Sequence, residues 1–443
     1  MTRLLVAGLL LTLSGVASAD TGEERANEAL IQTFDPESAV APISVVEGPG
    51  IKVGESTTLH PVFGVETGVV SNVFYEETAG TAAGILRIIA QIGTGSLNKA
   101  RMTPNAETDE TMTETRGGGL AYRADLRASY DAVLSGNDAA SSTGGLGLGA
   151  SLHGIVNPKG KVQFSFDDDF VRLIRAANFE TDANTNRDIN KLQLGLNVRP
   201  GGGTIVGSLY YSNLIDIFEK DEQKFANRID HRVGLRVGWQ FFPRSQLYLD
   251  VSQGYITGLG SAAAMKTSSF PLVAKVGFAS LLSLKTTINL EAGYTNGFYD
   301  GPSYSAPVIN AQVAYRYSPL GRVGLLYSLA YQDSINANYY RDHIIRLWAR
   351  QIFMPIVVMV QPEVHFRKYD GIDLVMGAPT RDDVIVSVIA GASYNFRNWI
   401  AATLNYRLTL VETDYRYTGS GNVMVDDPSF VRHEVLAGMR VAL

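Results

Sequence analysis

The chain of 443 residues contains no cysteine. Disulfides, thiolate metal centres and cysteine nucleophiles are therefore excluded. Histidine is scarce. The six residues His60, His153, His231, His343, His365 and His433 are scattered, with no metal-ligand spacing. No G-x-S-x-G elbow occurs. The stretch Gly145-Leu-Gly-Leu-Gly-Ala lacks the third glycine of a dinucleotide fingerprint and lies in a strand pattern. Asp167-Asp168-Asp169 reads as an acidic edge at an outer mouth rather than as a calcium site. No catalytic residue, metal ligand or cofactor is expected, so the chain reads as a non-enzyme. No nucleic-acid partner is expected either. Beyond the first 19 residues there is no continuous apolar run long enough for a spanning helix.

What is present begins with that N-terminal stretch, MTRLLVAGLLLTLSGVASA. It combines basic Arg3, an apolar run from Leu4 to Val16 and an Ala17-Ser18-Ala19 cleavage site, the three parts of a secretory signal. Removing residues 1–19 takes Arg3 and no acid, which brings the formal charge from −6 to −7. Residues 20–57 are polar, acidic and interrupted by Pro and Gly, and read as a periplasmic lead. Mean hydropathy is only +0.02. Transmembrane barrels look this way too, because only alternate residues face lipid.

The clearest stretch is His231–Ile256. Val233, Leu235, Val237, Trp239 and Phe241 alternate with Arg232, Gly234, Arg236, Gly238 and Gln240, the period of a β-strand. Phe242-Pro-Arg-Ser turns the chain, and Leu247, Leu249 and Val251 resume the apolar face. These strands are about twice the usual soluble length, and their aromatics sit beside the turn, as at a membrane interface. The pattern recurs over 58–443. It predicts strands at 59–69, 85–93, 119–133, 145–156, 161–171, 188–198, 203–215, 230–241, 245–256, 269–279, 286–298, 307–317, 322–332, 339–353, 355–369, 382–396, 398–412 and 430–443. Short and long connections alternate between them, with one exception, the long link 96–115. The expected fold is all-β: a transmembrane antiparallel up-and-down barrel of about eighteen strands, with short periplasmic turns and longer outer loops. A soluble sandwich or propeller is the competing fold. Val435, Ala437, Met439, Val441 and Leu443 alternate to the last residue, a final strand suited to the barrel-assembly machinery. The expected location is the outer membrane of a Gram-negative bacterium, with the bilayer and lipopolysaccharide as surroundings.

Alternation also assigns faces. The polar face carries Arg87, Arg123, Arg127, Lys161, Lys191, Arg199, Arg232, Arg236, Lys275, Arg316, Arg346, Arg350, Arg367, Arg407, Arg432 and Arg440. Acidic residues on it are Glu66, Asp125, Asp131, Asp167, Asp169, Asp250, Glu291, Asp342, Glu363 and Glu434. Read as a pore lining, this is a net-positive wall, and rings of one charge select the opposite ion. The alternative is a mixed network that props the barrel open without selectivity.

The segment His60-Pro-Val-Phe-Gly-Val-Glu-Thr-Gly-Val-Val-Ser-Asn-Val-Phe-Tyr75 resembles the start of the outer-membrane β-barrel porins of the type 2 family, whose first strand runs into an Asp/Ser-Asn-Val-Phe segment. Ser71-Asn72-Val73-Phe74 is the match. The resemblance implies an outer-membrane channel. It also admits a role like that of similar eighteen-stranded barrels in exopolysaccharide export, working with a periplasmic polysaccharide-export protein. The expected function is a conduit for secreted acidic polysaccharide. The alternatives are a passive diffusion porin for small, preferably anionic solutes, and a structural or adhesive surface barrel.

Overall fold

The computed structural model describes residues 46, 48–53, 57–78, 80–95, 119–176, 185–202, 204–260, 267–299, 303–334, 338–370, 381–413, 417–418, 424–426 and 429–443. The signal stretch 1–19, most of the 20–57 lead and the 96–115 link lie outside the described residues.

Eighteen long strands follow one another around a single sheet. They are β1 (Thr57–Val70), β2 (Ala83–Gly95), β3 (Leu120–Leu134), β4 (Gly145–Val156), β5 (Val162–Ala176) and β6 (Thr185–Val198). Next come β7 (Ile205–Phe218), β8 (Arg228–Phe242), β9 (Ser245–Gly258), β10 (Leu272–Ser283), β11 (Thr286–Asn296) and β12 (Ser305–Ser318). The last six are β13 (Gly321–Asp333), β14 (Tyr339–Phe353), β15 (Ile356–Asp370), β16 (Asp382–Arg397), β17 (Ile400–Thr413) and β18 (Phe430–Ala442). Each strand pairs antiparallel with its predecessor. β1 pairs with β2 on one side and with β18 on the other, from Val62↔Ala442 to Val70↔Glu434, which closes the barrel. Most boundaries fall within three residues of the sequence expectation. β5 runs five residues further, past a bulge between Leu173 and Ala176.

The two faces invert the pattern of a soluble protein. On β8, Val233, Leu235, Val237 and Trp239 are exposed on the outside, whereas Arg236 on the inside is 2% exposed. Phe63, Leu126, Leu209, Val276 and Leu347 continue the apolar exterior on other strands. Trp239, Phe242, Tyr315, Tyr317, Phe353, Tyr394, Phe396 and Trp399 form an exposed aromatic belt at the end with the short turns. Turns of two residues join β8 to β9, β10 to β11, β12 to β13, β14 to β15 and β16 to β17. All of them lie at that end, which is the periplasmic end of such a barrel. Each exterior Leu or Val that meets lipid instead of water is worth about 1.5–3 kcal/mol. A closed barrel leaves no unpaired edge in the hydrocarbon, which is the condition for spanning it with strands. This is the multi-pass barrel of an outer membrane.

Residues 46 and 48–53 meet the last residues of β18 at the seam. The short strand Ile51–Val53 pairs with the start of β1, below the point where β18 stops. The Gly50 N–H donates to the Leu443 carbonyl (2.9 Å), and the Leu443 N–H donates to Pro61 (3.0 Å). Val46 is buried against Val62, Ala401 and Ala442 on the inner wall.

Candidate functional site: the charged barrel interior

The interior wall is lined by charged side chains that lie along it rather than across it. Glu66, Arg87 and Asp131 occupy one register row on β1, β2 and β3. The Arg87 guanidinium donates two bonds to Asp131, of 2.7 and 2.9 Å, the strong bidentate arrangement. Arg440 donates to Glu66 (2.9 Å) and Arg432 to Glu434 (2.9 Å). Arg407 stands 3.8 Å and Arg87 3.9 Å from Glu434. Arg175 on β5 reaches Asp131 on β3. Its path crosses β4 where Gly145 faces Asp131, so no side chain obstructs it.

A second group joins β8 to β11. Arg236 contacts Asp250 at 2.8 Å and Glu291 at 3.3 Å. Lys275 is 3.2 Å from Glu291, and the Arg236 guanidinium lies 4.3 Å from the centre of the Tyr248 ring. Tyr248 donates to Asn289 (3.0 Å) and to Glu291. Tyr210 on β7 donates to Asp250 on β9 (2.8 Å) by lying flat over Gly234 on β8. A Cβ at Gly234 would stand 2.1 Å from that ring. Glycines on this wall are thus seats for long side chains. Arg127 uses Gly149 in the same way.

A third group occupies β14 to β16. Arg346 binds Glu363, and His365 contacts Asp342 (2.9 Å) and Glu363. Arg367 donates to Asp342 (2.8 Å) and covers the Tyr340 ring at 4.1 Å. Arg381 pairs with Asp383 at 2.7 Å. Smaller pairs are Arg123 with Asp125 (2.7 Å) and Arg232 with Asp230 (3.3 Å). Asp167 and Asp169 face inward around His153, at 2.9 and 3.6 Å. Asp168 faces outward and accepts from Asn190 (2.9 Å). Strand alternation therefore divides the acidic triplet between two faces. Among the described residues, no group of three or more His, Asp or Glu side chains could hold a metal.

Of the remaining basic positions, Lys161 and Arg199 sit at adjoining short turns, tied by a 2.8 Å backbone bond, rather than on the wall. Lys191 lies on β6, level with Asp169 of β5. Arg350 on β14 stands directly opposite Arg322 on β13, and Arg316 lies at the same end of neighbouring β12. On its other side Arg350 faces Met359.

The long-loop end is narrowed by inward-folded loops. Tyr75, on the link between β1 and β2, is 3% exposed. It packs on the inward-facing Ile385, Val411 and Phe430 of β16, β17 and β18. Its hydroxyl donates to the Arg175 carbonyl and accepts from Arg432 (2.8 Å), so it joins β5 to β18. Tyr75 and Arg175 both hold positive φ, of 61° and 52°. Such backbone persists only where the surroundings over-determine it. Arg228 on β8 reaches Asp333 on β13 at 2.9 Å, five strands away, and also pairs with Asp216 at 3.1 Å. Tyr299, on the link between β11 and β12, donates to Asp333 (3.0 Å) and packs edge-on against Tyr304 and tilted against Tyr339. Burial raises the Tyr299 phenol, and the adjacent Asp333 adds to the effect. Burial also pushes Tyr304 up to about 12, against the pull of Arg232. Both rings therefore remain neutral donors at ordinary pH.

Arg175, Arg228, Arg322 and Arg381, with Asp216, Asp230 and Asp383, are interior members that the sequence reading leaves out. Most lie at strand ends among loop-like residues. Arg175, Arg228, Asp216 and Arg381 lie one to four residues beyond the strands drawn from sequence, whereas Asp230, Arg322 and Asp383 fall at the first or second position of strands already drawn.

No family model matches the chain, and no curated protein matches it. Several solved barrels are similar in outline. OpdK of Pseudomonas aeruginosa, determined with vanillate, is 8% identical, with 87% of this chain and 99% of that one covered and a TM-score of 0.44. OccK2 (OpdF) of the same organism is 10% identical over 87% and 98%, with a TM-score of 0.43. OccAB4 of Acinetobacter baumannii is 13% identical over 87% and 98%, with a TM-score of 0.41.

Proposed function

We propose that the barrel is a passive channel for small polar solutes, preferably anions, and that its charged interior face lines the pore. The observation that carries this reading is the placement of charge on the wall. Most interior guanidinium groups are matched by carboxylates, as in Arg87–Asp131, Arg236–Asp250 and Arg346–Glu363. Arg322 and Arg350 stand directly opposite each other, with Arg316 at the same end of the neighbouring strand, so three guanidinium groups gather at one level of the wall. Positive charge gathered at one level of a pore favours the passage of anions. The inward-folded Tyr75 and Tyr299 loops favour small solutes over a polymer, so the small-solute alternative fits this interior better than the polysaccharide conduit.

The test is a planar-bilayer reversal potential under a salt gradient. Replacing Arg316, Arg322 and Arg350 together by Gln should move the potential toward that of a non-selective pore. An unchanged potential overturns the selectivity assignment. No current from wild-type protein would overturn the channel itself.

A further inference from the structure

The six histidines divide evenly between the two faces. His60, His153 and His365 face inward, and the latter two meet carboxylates. His231, His343 and His433 lie on the outer face, and each meets a tyrosine. Tyr211 contacts His231 Nδ1 at 2.8 Å, Tyr327 contacts His343 Nδ1 at 3.1 Å, and Tyr406 contacts His433 Nδ1 at 3.0 Å. The three pairs share one geometry. Each tyrosine stands directly opposite the residue two positions after its histidine: Tyr211↔Val233, Tyr327↔Ile345 and Tyr406↔Val435. Ring centres are 6.2, 6.3 and 6.2 Å apart. Such diagonal neighbours across a sheet are within aromatic reach.

The pairs also share a position along the strand. Each histidine lies three or four residues from the long-loop end of its strand. The belt at the short-turn end has Trp, Phe and Tyr but no His. One end of the barrel therefore carries an imidazole ring set that the other lacks, on the side that faces the lipids of the outward leaflet.

We propose that the three Tyr–His pairs bind phosphate groups of lipids in the outward-facing leaflet. The hydrogen bonds supply the direction. Asn213 donates its amide to the Asp230 carbonyl (3.3 Å) and lies 3.2 Å from His231 Nδ1. An amide NH2 can only donate, so this Nδ1 accepts and the proton resides on Nε2. At the other two pairs the tyrosine hydroxyl is in hydrogen-bond contact with Nδ1, and a hydroxyl that donates there gives the same tautomer. Each ring then offers an Nε2–H donor at the depth of the headgroups, and the acceptor there is a phosphate oxygen. The apolar residues beneath, such as Val233, Leu235, Ile345, Leu347 and Met439, hold the acyl chains of the same lipids.

The experiment is native mass spectrometry of the full barrel in detergent, with phosphorylated lipid A or its dephosphorylated form added. Wild-type protein should retain several-fold more of the phosphorylated lipid. The triple variant H231Q/H343Q/H433Q should lose that excess, with each single variant losing part of it. Equal retention of the two lipids by wild type overturns the proposal, as does a triple variant that keeps the excess. Displacement of the lipid by millimolar inorganic phosphate would also overturn it, because the site would then be one for free anions. If the triple variant fails to show the heat-dependent gel shift of a folded barrel, the single variants and the wild-type comparison decide.

Discussion

Asp131 illustrates how this interior treats a charge. The carboxylate is fully buried and bound by both Arg87 and Arg175. Removing one partner from a buried group strands the others, at a cost near 3 kcal/mol. Asp131→Asn should therefore lower the urea midpoint of the refolded barrel by an amount equivalent to roughly 3 kcal/mol. Asp221 is the contrast. It lies in an exposed turn beside Lys224 at 2.6 Å, which depresses its pKa. Asp221→Asn should leave the midpoint unchanged. Equal effects at the two sites would mean that interior water screens the wall as well as it does the surface. Residue identities at these positions are legible in sequence, but their partners are not. Arg175 and Asp131 are 44 positions apart, and only the register of β3, β4 and β5 brings them together.

At the scale of the strand, alternation settles both faces. A slip of one residue would turn Arg236 toward lipid and Trp239 inward, so the sequence of β8 admits one register. The sequence also suggests that the glycines of β4 leave room beside the wall. The structure shows what fills it: Arg127 over Gly149, and Arg175 passing Gly145. Gly234 gives the test. In Gly234→Ala the new methyl group displaces the Tyr210 ring and its bond to Asp250, which should cost about 1–3 kcal/mol. Adding Tyr210→Ala should remove most of the additional penalty, since the clash then has no partner. Additive losses in this double-mutant cycle would show that the ring does not rest on the glycine.

For the whole molecule, closure creates contacts that no strand pair contains. Tyr75 joins β5 to β16, β17 and β18, and Arg228 joins β8 to β13. These ties lie at the long-loop mouth. Tyr75→Ala should raise single-channel conductance without shifting the reversal potential, because the arginine patch at the other end is untouched. Tyr75→Phe keeps the ring and loses only its hydroxyl bonds to Arg175 and Arg432, so it should give a smaller rise. Identical conductance in all three proteins would mean that the loop lies clear of the solute path.

The sequence by itself determined the strands, their approximate number and their two faces, because a period of two along one strand records which side meets lipid and which does not. It also determined that the barrel has a short-turn end and a long-loop end, because link length is local. Only the tertiary structure decided how interior charge is matched, which loops fold inward, and that three histidines on separate strands each meet a tyrosine of the preceding strand. Those facts depend on register across many strands and on closure of β1 against β18. Each is a sum over pairings rather than a property of any one of them.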